Sequence, residues 1–326
     1  MIPDIKDKHL FAFLFLLIFI NVNGIAQPKP LLRISIENKK DHVQTKYVMK
    51  FVELLKERTG GAINIEFYHS GTMYRDQEVI NALYSGKVEM AVPGTWHVSA
   101  FIPEISYFLL PEFFGEEKEY NYSYISSESG RELISKIEDD LNVIIPGAWM
   151  DLGHAIVFTT GGNRISDFSD FEGKTIRVAG GIMNKRRIEL LGADGVIIAW
   201  SDVPLHLKKG TIDGLLTTFE TVKSADLWTY GVKYAFVDNE YFPQYVPMIS
   251  RRFWDKISDD VRETIISTWN EVAVEQRIEA EDAQIKARRT AEQNGVIIVY
   301  PQSADLSRAK EMLLSHQQEL RNEINQ

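Results

Sequence analysis

The chain has 326 residues, 44% hydrophobic and 25% charged, which suits two packed domains and gives no support for disorder. A net charge of -10 with no basic block gives nucleic-acid binding no electrostatic footing. The absence of cysteine excludes disulfides, thiol catalysis, cysteine zinc sites and a lipid-anchored N-terminal cysteine.

The first element is "HLFAFLFLLIFI", whose apolar run from Leu10 to Ile20 is too short for an ordinary membrane span. Lys6 and Lys8 precede it, and Gly24 and Ala26 lie where an A-x-A-like cleavage site belongs. Residues 1–26 are therefore expected to be a secretory signal peptide, with the mature chain starting near Gln27 in the periplasm. Asp4 and Asp7 weaken its positive end and leave an uncleaved anchor as the alternative.

"LLRISIE" (31–37) alternates as a half-buried strand should. A helix follows, with Val43, Tyr47, Phe51, Leu54 and Leu55 on one face and Gly60-Gly61 as its stop. "AINIEFYHSG" reads as a strand, "RDQEVINALYSGK" as a helix and "VEMAVPG" as a strand. Farther on come strands in "VIIPGAW", "TIRVAG", "GVIIAW" and "IDGLLTT", with helices in "NKRRIELLGA" and "SDVPLHLKKG". Strands separated by helices predict parallel β-α-β units in both halves. From Ser258, a proline-free stretch of roughly 35 residues predicts a helix about 50 Å long, with Ser258 as N-cap and acids in its first turn. That length suggests a strut spanning two lobes.

"FEGKTIRVAGG" (171–181) contains Gly173-Lys174-Thr175, the tail of a phosphate loop, but Phe168 stands where that loop needs its first glycine. "ISDFSDFEG" instead reads as a capped polar turn. From pattern alone, Arg177 in the following strand is either a solvated face or a ligand contact. No G-x-S-x-G or H-E-x-x-H is present, and the adjacent pairs Asp139-Asp140 and Asp259-Asp260 diverge on helical runs, so an enzyme reading has little to stand on.

The order of segments resembles the extracytoplasmic solute-binding proteins of tripartite ATP-independent periplasmic (TRAP) transporters, the DctP-like group. The cues are "FVELLKERTGGAINIE" (51–66), "ALYSGKVEMAV" (82–92), the "PE" and "LPEFF" of 103–114, "DFEGKTIRV" (170–178), "GTIDG" (210–214) and "SRRFWDKI" (250–257). Each is weak alone; together, at these spacings from about Leu32 to Pro301, they are specific. The resemblance implies an α/β, two-lobed, periplasmic-binding-protein-like fold, each lobe a mixed sheet with flanking helices and one long helix crossing both. Lobe I would take 27–152 and 243–282, lobe II 153–242 and 283–326, with the ligand cleft between them. It also implies a monomeric binding subunit that hands a small organic acid to small and large permease subunits, with no cofactor and no ATP. A periplasmic sensor subunit would have the same fold and cleft and is the alternative.

In that group Arg177 matches the arginine that clamps a ligand carboxylate, a role suited to the two parallel N–H donors of a guanidinium. Trp200 matches an aromatic set against the ligand, the alternative being a tryptophan closing a strand's core. Thr217 stands where the group often places an asparagine, and Leu215-Leu216 precede it, so a metal-bridged ligand is not expected. Ala155, beside His154, occupies the place of a second arginine, and Gly94, Trp96 and His97 stand where acid-sugar binders carry Glu and Arg. The aromatics Trp96, Trp149, Trp200, Phe219 and Phe242 fall near these vacancies. One arginine and several aromatic planes suit a monocarboxylate with a flat or apolar body, or a sugar acid. His97 or His154 would supply a second cation only if protonated. Asp151 and Glu37 would accept from ligand hydroxyls or an ammonium group.

Overall fold

A computed structural model of the chain describes residues 28–325. The expected signal peptide lies outside them. Among the described residues, no helix is long and apolar enough to cross a membrane.

The first strands are β1 (Leu31–Ser35), β2 (Asn64–Tyr68), β3 (Met90–Ala91), β4 (Val143–Ile144), β5 (Met150–Asp151) and β6 (Ala155–Thr160). The rest are β7 (Thr175–Val178), β8 (Asp194–Ile197), β9 (Gly214–Thr217), β10 (Val232–Tyr241), β11 (Gln244–Tyr245), β12 (Met248–Ser250) and β13 (Ile297–Val299). They form a five-stranded sheet in the order β2-β1-β3-β12-β4, a six-stranded sheet in the order β13-β10-β6-β9-β7-β8, and a small β11-β5 pair. β1 runs parallel to both β2 and β3, with helices Val43–Arg58 and Asp76–Tyr84 as the crossovers that parallel pairing requires. In the second sheet β7 is parallel to β8 and β9, whereas β6 is antiparallel to β9 and β10, so the sheet is mixed.

The local signals behave as physics predicts. Leu32 and Ile34 of β1 are buried while Arg33 between them points outward and chelates Glu89 at 2.6 Å. Gly60 (φ +55) and Gly61 (φ +80) follow helix Val43–Arg58, the left-handed backbone that ends a helix. The turn before β7 is a capping box in which Asp167 accepts from the Ser169 N–H and Asp170 answers back.

Three expectations change in detail. The strand in "VIIPGAW" is only Val143–Ile144, because Pro146 lacks an N–H and Gly147 lies so close to Asn270 that a Cβ would meet its Oδ1 at 2.3 Å. The strand in "GVIIAW" ends at Ile197, and Trp200 opens a short 3₁₀ turn. Ser258 sits at the N-cap of the long helix, but its side chain makes no capping bond; Asp259 and Asp260 complement the first turn instead.

That helix runs Asp259–Gln293, 35 residues, and explains the two-lobed build. Its first half packs bulky side chains, Val261, Ile265, Trp269 and Val272, into the core beneath the five-stranded sheet. There Trp269 meets Phe51 edge-on at 5.2 Å and donates its indole N–H to the Ala148 carbonyl at 2.9 Å. In its second half the buried positions are small, and Ala287 and Ala291 join a separate core with Ile156, Phe158 and Leu215 of the six-stranded sheet. One continuous helix thus belongs to both cores.

Candidate functional site

The carboxyl ends of strands in the two sheets face each other across a cavity whose empty space, open solvent at its mouth included, is about 490 Å³. An open α/β sheet gathers ligands there, because strands end and side chains point into a crevice between connections. The five-stranded lobe contributes Glu37 and Asn38 beyond β1, Asp76 opening the next helix, and Trp96 and His97 beyond β3. The six-stranded lobe contributes Arg177 on β7, Trp200 beyond β8 and Thr217 ending β9. Tyr241 and Tyr245, on the segments that carry the chain between lobes, line the cavity as well.

Arg177 is not a solvated strand residue. Ile176 and Val178 are fully buried on one face of β7, and Arg177 on the other is only 2% exposed. Its Nε donates to the Ile198 carbonyl at 2.9 Å, and its guanidinium carbon lies 5.5 Å from the centre of the Trp200 ring. Among the described residues neither Nη group has a hydrogen-bond acceptor, and both belong to a side chain lining the cavity. Burial lowers its pKa to about 10, so at neutral pH it remains a cation. Among the described residues it is the one Lys or Arg that lines the cavity.

The facing wall is acidic. His97 Nε2 lies 3.7 Å from Asp76 Oδ2, and Glu37, Asp76 and His97 bring donor atoms within 4.8 Å of one another. Burial, then the neighbouring Glu37 charge, hold Asp76 well above the carboxylate range. Burial also raises Glu37, opposed by the Arg177 charge and the Asp76 amide N–H. Burial, then Arg177, lowers His97 to about 3, so it is a neutral imidazole. The idea of His97 as a second cation therefore fails on its surroundings.

Trp96 packs edge-on against Tyr245 at 5.5 Å, and its indole N–H is buried with no partner. A Cβ on Gly94 would stand 2.3 Å from the Trp96 ring. Gly94→Ala is therefore expected to push the indole into the cavity and weaken ligand binding about tenfold or more, in line with the ~1–3 kcal/mol cost of overpacking. Isothermal titration of parent and variant checks this, and unchanged affinity would show the ring yields elsewhere. The lobes touch at the same place: a Cβ on Gly180 would meet the Trp96 carbonyl at 3.2 Å.

Of the residues singled out in the sequence, Arg177, Trp200, Thr217, Trp96, His97 and Glu37 line this cavity. Asp151, His154, Phe219 and Phe242 line a different one, of about 810 Å³, beside the long helix. Asp151 there accepts from Gln244 at 2.9 Å and from the Tyr122 hydroxyl, so its oxygens are already engaged. His154 bonds the Glu116 carbonyl at 3.1 Å and packs edge-on to Phe242. Trp149 lines neither; it is 2% exposed and packs against Phe108 at 5.6 Å. Asp76, Tyr241, Tyr245 and Asn38 were not singled out. Asp76 looked like an ordinary acid opening a helix, and "YFPQY" carries no periodic or motif signal.

Known proteins share this architecture. The sugar acid binding protein of Advenella mimigardefordensis, solved with galactonate, superposes with a TM-score of 0.84 at 20% identity, covering 90% of this chain and 93% of that one. A TRAP periplasmic solute binding protein of Ralstonia eutropha with bound (S)-2-acetolactate gives 0.83 at 20% identity, over 91% and 95%. In sequence, the C4-dicarboxylate-binding periplasmic protein DctP of Rhodobacter capsulatus is 28% identical over 247 residues, 74% of this chain and 71% of that protein. A family model matches residues 34–323, from β1 to the last helix, and so takes in both lobes, the spanning helix and every residue lining the cleft. The chain belongs to the DctP family, the bacterial extracellular solute-binding proteins of family 7.

Proposed function

We propose that this chain captures a small organic monocarboxylate in the cleft between its lobes, closes on it and delivers it to a TRAP-type membrane permease. The lobes divide near 152/153 and 242/243, with the long helix passing from one to the other near 282/283. The observation that carries the reading is Arg177: a guanidinium 2% exposed, on the cavity wall, with both Nη groups lacking an acceptor among the described residues. A carboxylate fits that fork with two parallel hydrogen bonds. Among the described residues the cavity offers no second Lys or Arg, and its far wall is acidic, which favours one carboxylate over two. Trp96 and Trp200 supply planes for a flat body or the apolar face of a sugar acid. Solved neighbours carry galactonate and D-erythronate, both acids of this kind.

Contacts from both lobes favour the closed state, which is the form a permease would recognise. The family's description, bacterial extracellular solute-binding protein, supports a binding role outside the cytoplasm. The test is a thermal-shift screen of the chain from Gln27 against small carboxylic acids and their matched amides. A ligand present at about 100 times its Kd adds ~2.7 kcal/mol to stability. Stabilisation by an acid and not by its amide is the expected result; equal stabilisation by both would remove the carboxylate from the recognition.

A further inference from the structure

We propose that the cleft is built for a zwitterion, holding a carboxylate on Arg177 and an ammonium group among Glu37, Asp76 and His97. This rests on the reading above that Arg177 takes a carboxylate, and it adds what the far wall takes. Asp76 is 7% exposed and His97 9%; both line the cavity, they lie 3.7 Å apart, and neither side chain makes a hydrogen bond to any described residue. Buried polar groups left unpaired are costly, so a pair of them aimed into a cavity implies a partner that arrives with the ligand.

The chemistry of that partner follows from what surrounds it. Two carboxyl groups and one neutral imidazole are all able to accept, and the nearest cation, Arg177, is already assigned to the ligand's carboxylate. Beyond them Arg75 and Asp202 lie 3.9 Å apart and half-exposed at the mouth, where they largely offset each other. A second ligand carboxylate would meet two acids. A hydroxyl donates one hydrogen bond and would leave the other two groups without a partner. An ammonium group donates three hydrogen bonds, and acceptors at ~2.8 Å around it stand about 4.6 Å apart. The three side chains offer atoms within 4.8 Å of one another. The rings of Trp96 and Tyr245 line the same cavity and add aromatic faces that attract a cation.

The experiment is titration calorimetry on the chain from Gln27 with matched four-carbon probes. The zwitterions are 2-aminobutyrate and 4-aminobutyrate, run beside the standard α-amino acids. The comparators are butyrate, 2-hydroxybutyrate, 4-hydroxybutyrate and succinate. At least one zwitterion is expected to bind tenfold or more tighter than its ammonium-free counterpart. Glu37→Gln and Asp76→Asn are each expected to erase that preference. Because Asp76→Asn removes an unpartnered buried carboxyl group, its ligand-free melting temperature should not fall. If it does, the half-buried Glu37→Gln carries the test.

A comparator that outbinds every zwitterion overturns the proposal, as does a preference that survives both variants. Stabilisation by Zn²⁺ or Mn²⁺ alone, reversed by EDTA, would assign the acidic wall to a metal and overturn it too. If an acid binds through Arg177 without any zwitterion preference, only this inference falls. If no binding depends on Arg177, the function proposed above falls with it.

Discussion

Arg177→Ala is expected to weaken binding of the cognate acid by about 2–5 kcal/mol, roughly 30- to 4,000-fold, with no loss of fold. The size follows from burial. A charged pair in water is worth little, but Arg177 is 2% exposed, and in the closed cleft its carboxylate partner cannot fall back on solvent. Much of the cost is the ligand's carboxylate stranded in a cavity with no other Lys or Arg among the described residues. Arg177→Lys should recover only part of it, since an ammonium is a point charge without the fork and cannot reproduce both the Ile198 carbonyl contact and the paired ligand bonds. The Trp200 ring, 5.5 Å from the guanidinium, is expected to hold Arg177 in place; Trp200→Ala should therefore lower affinity less than Arg177→Ala. Calorimetric Kd values for the acid and its amide check the series. An amide that loses as much affinity as the acid would mean the guanidinium acts through shape alone.

The second large effect concerns stability. Arg187→Ala is expected to destabilise the protein by about 3–5 kcal/mol. Arg187, on helix Ile182–Leu190, is 1% exposed and pairs at 2.5 Å with Glu240, which is fully buried on β10. Asp238, two residues earlier, is 1% exposed with neither oxygen hydrogen-bonded among the described residues, and burial and the Glu240 charge hold it well above the carboxylate range. Without the guanidinium, two carboxyl groups share a dry site with no cation. A carboxyl raised in the folded state contributes stability that is present at low pH and lost as pH rises. The deficit of the variant should accordingly be larger at pH 8 than at pH 5, which urea melts at both values would measure. Arg187→Met combined with Glu240→Leu should recover much of the loss, because replacing a buried pair costs less than breaking it. A small, pH-independent deficit in the single variant would show that water reaches the site. The same helix carries Asn184, whose amide bonds the Gly180 carbonyl at 3.0 Å and reaches the Tyr241 hydroxyl at 3.4 Å, so this polar core stands directly behind one wall of the cleft.

How far the sequence alone reached depends on the physics of each feature. The β-α-β alternation, the Gly60-Gly61 stop, the capped turn before β7 and the 35-residue helix are local. Periodicity, backbone freedom and capping act within a few residues, and each was legible without tertiary information. Arg177 was legible as a position, because a charged residue between two core residues of a strand must face the other side of the sheet. Whether that side is solvent or a cleft depends on the opposite lobe, some 80 to 140 residues away in the chain. The six aligned cues, and not the strand pattern, pointed to the cleft.

What the sequence could not order was the neighbourhood. Trp149 and Asp151 lie beyond a strand cut short at Ile144, Asp151 in the separate two-residue strand β5 paired with β11, so one entered a core and the other a network with Gln244 and Tyr122. His154, Phe219 and Phe242 share a cavity with each other beside the long helix rather than with Arg177. Asp76 and Tyr245 reached the ligand cavity from a helix start and from the segment between lobes, neither of which has a period to read. Composition and local pattern determined the elements and their order. Which side chains meet across the cleft was decided only when two sheets closed on one helix, because contacts between lobes depend on how separate cores are set against each other, and no short-range preference encodes that.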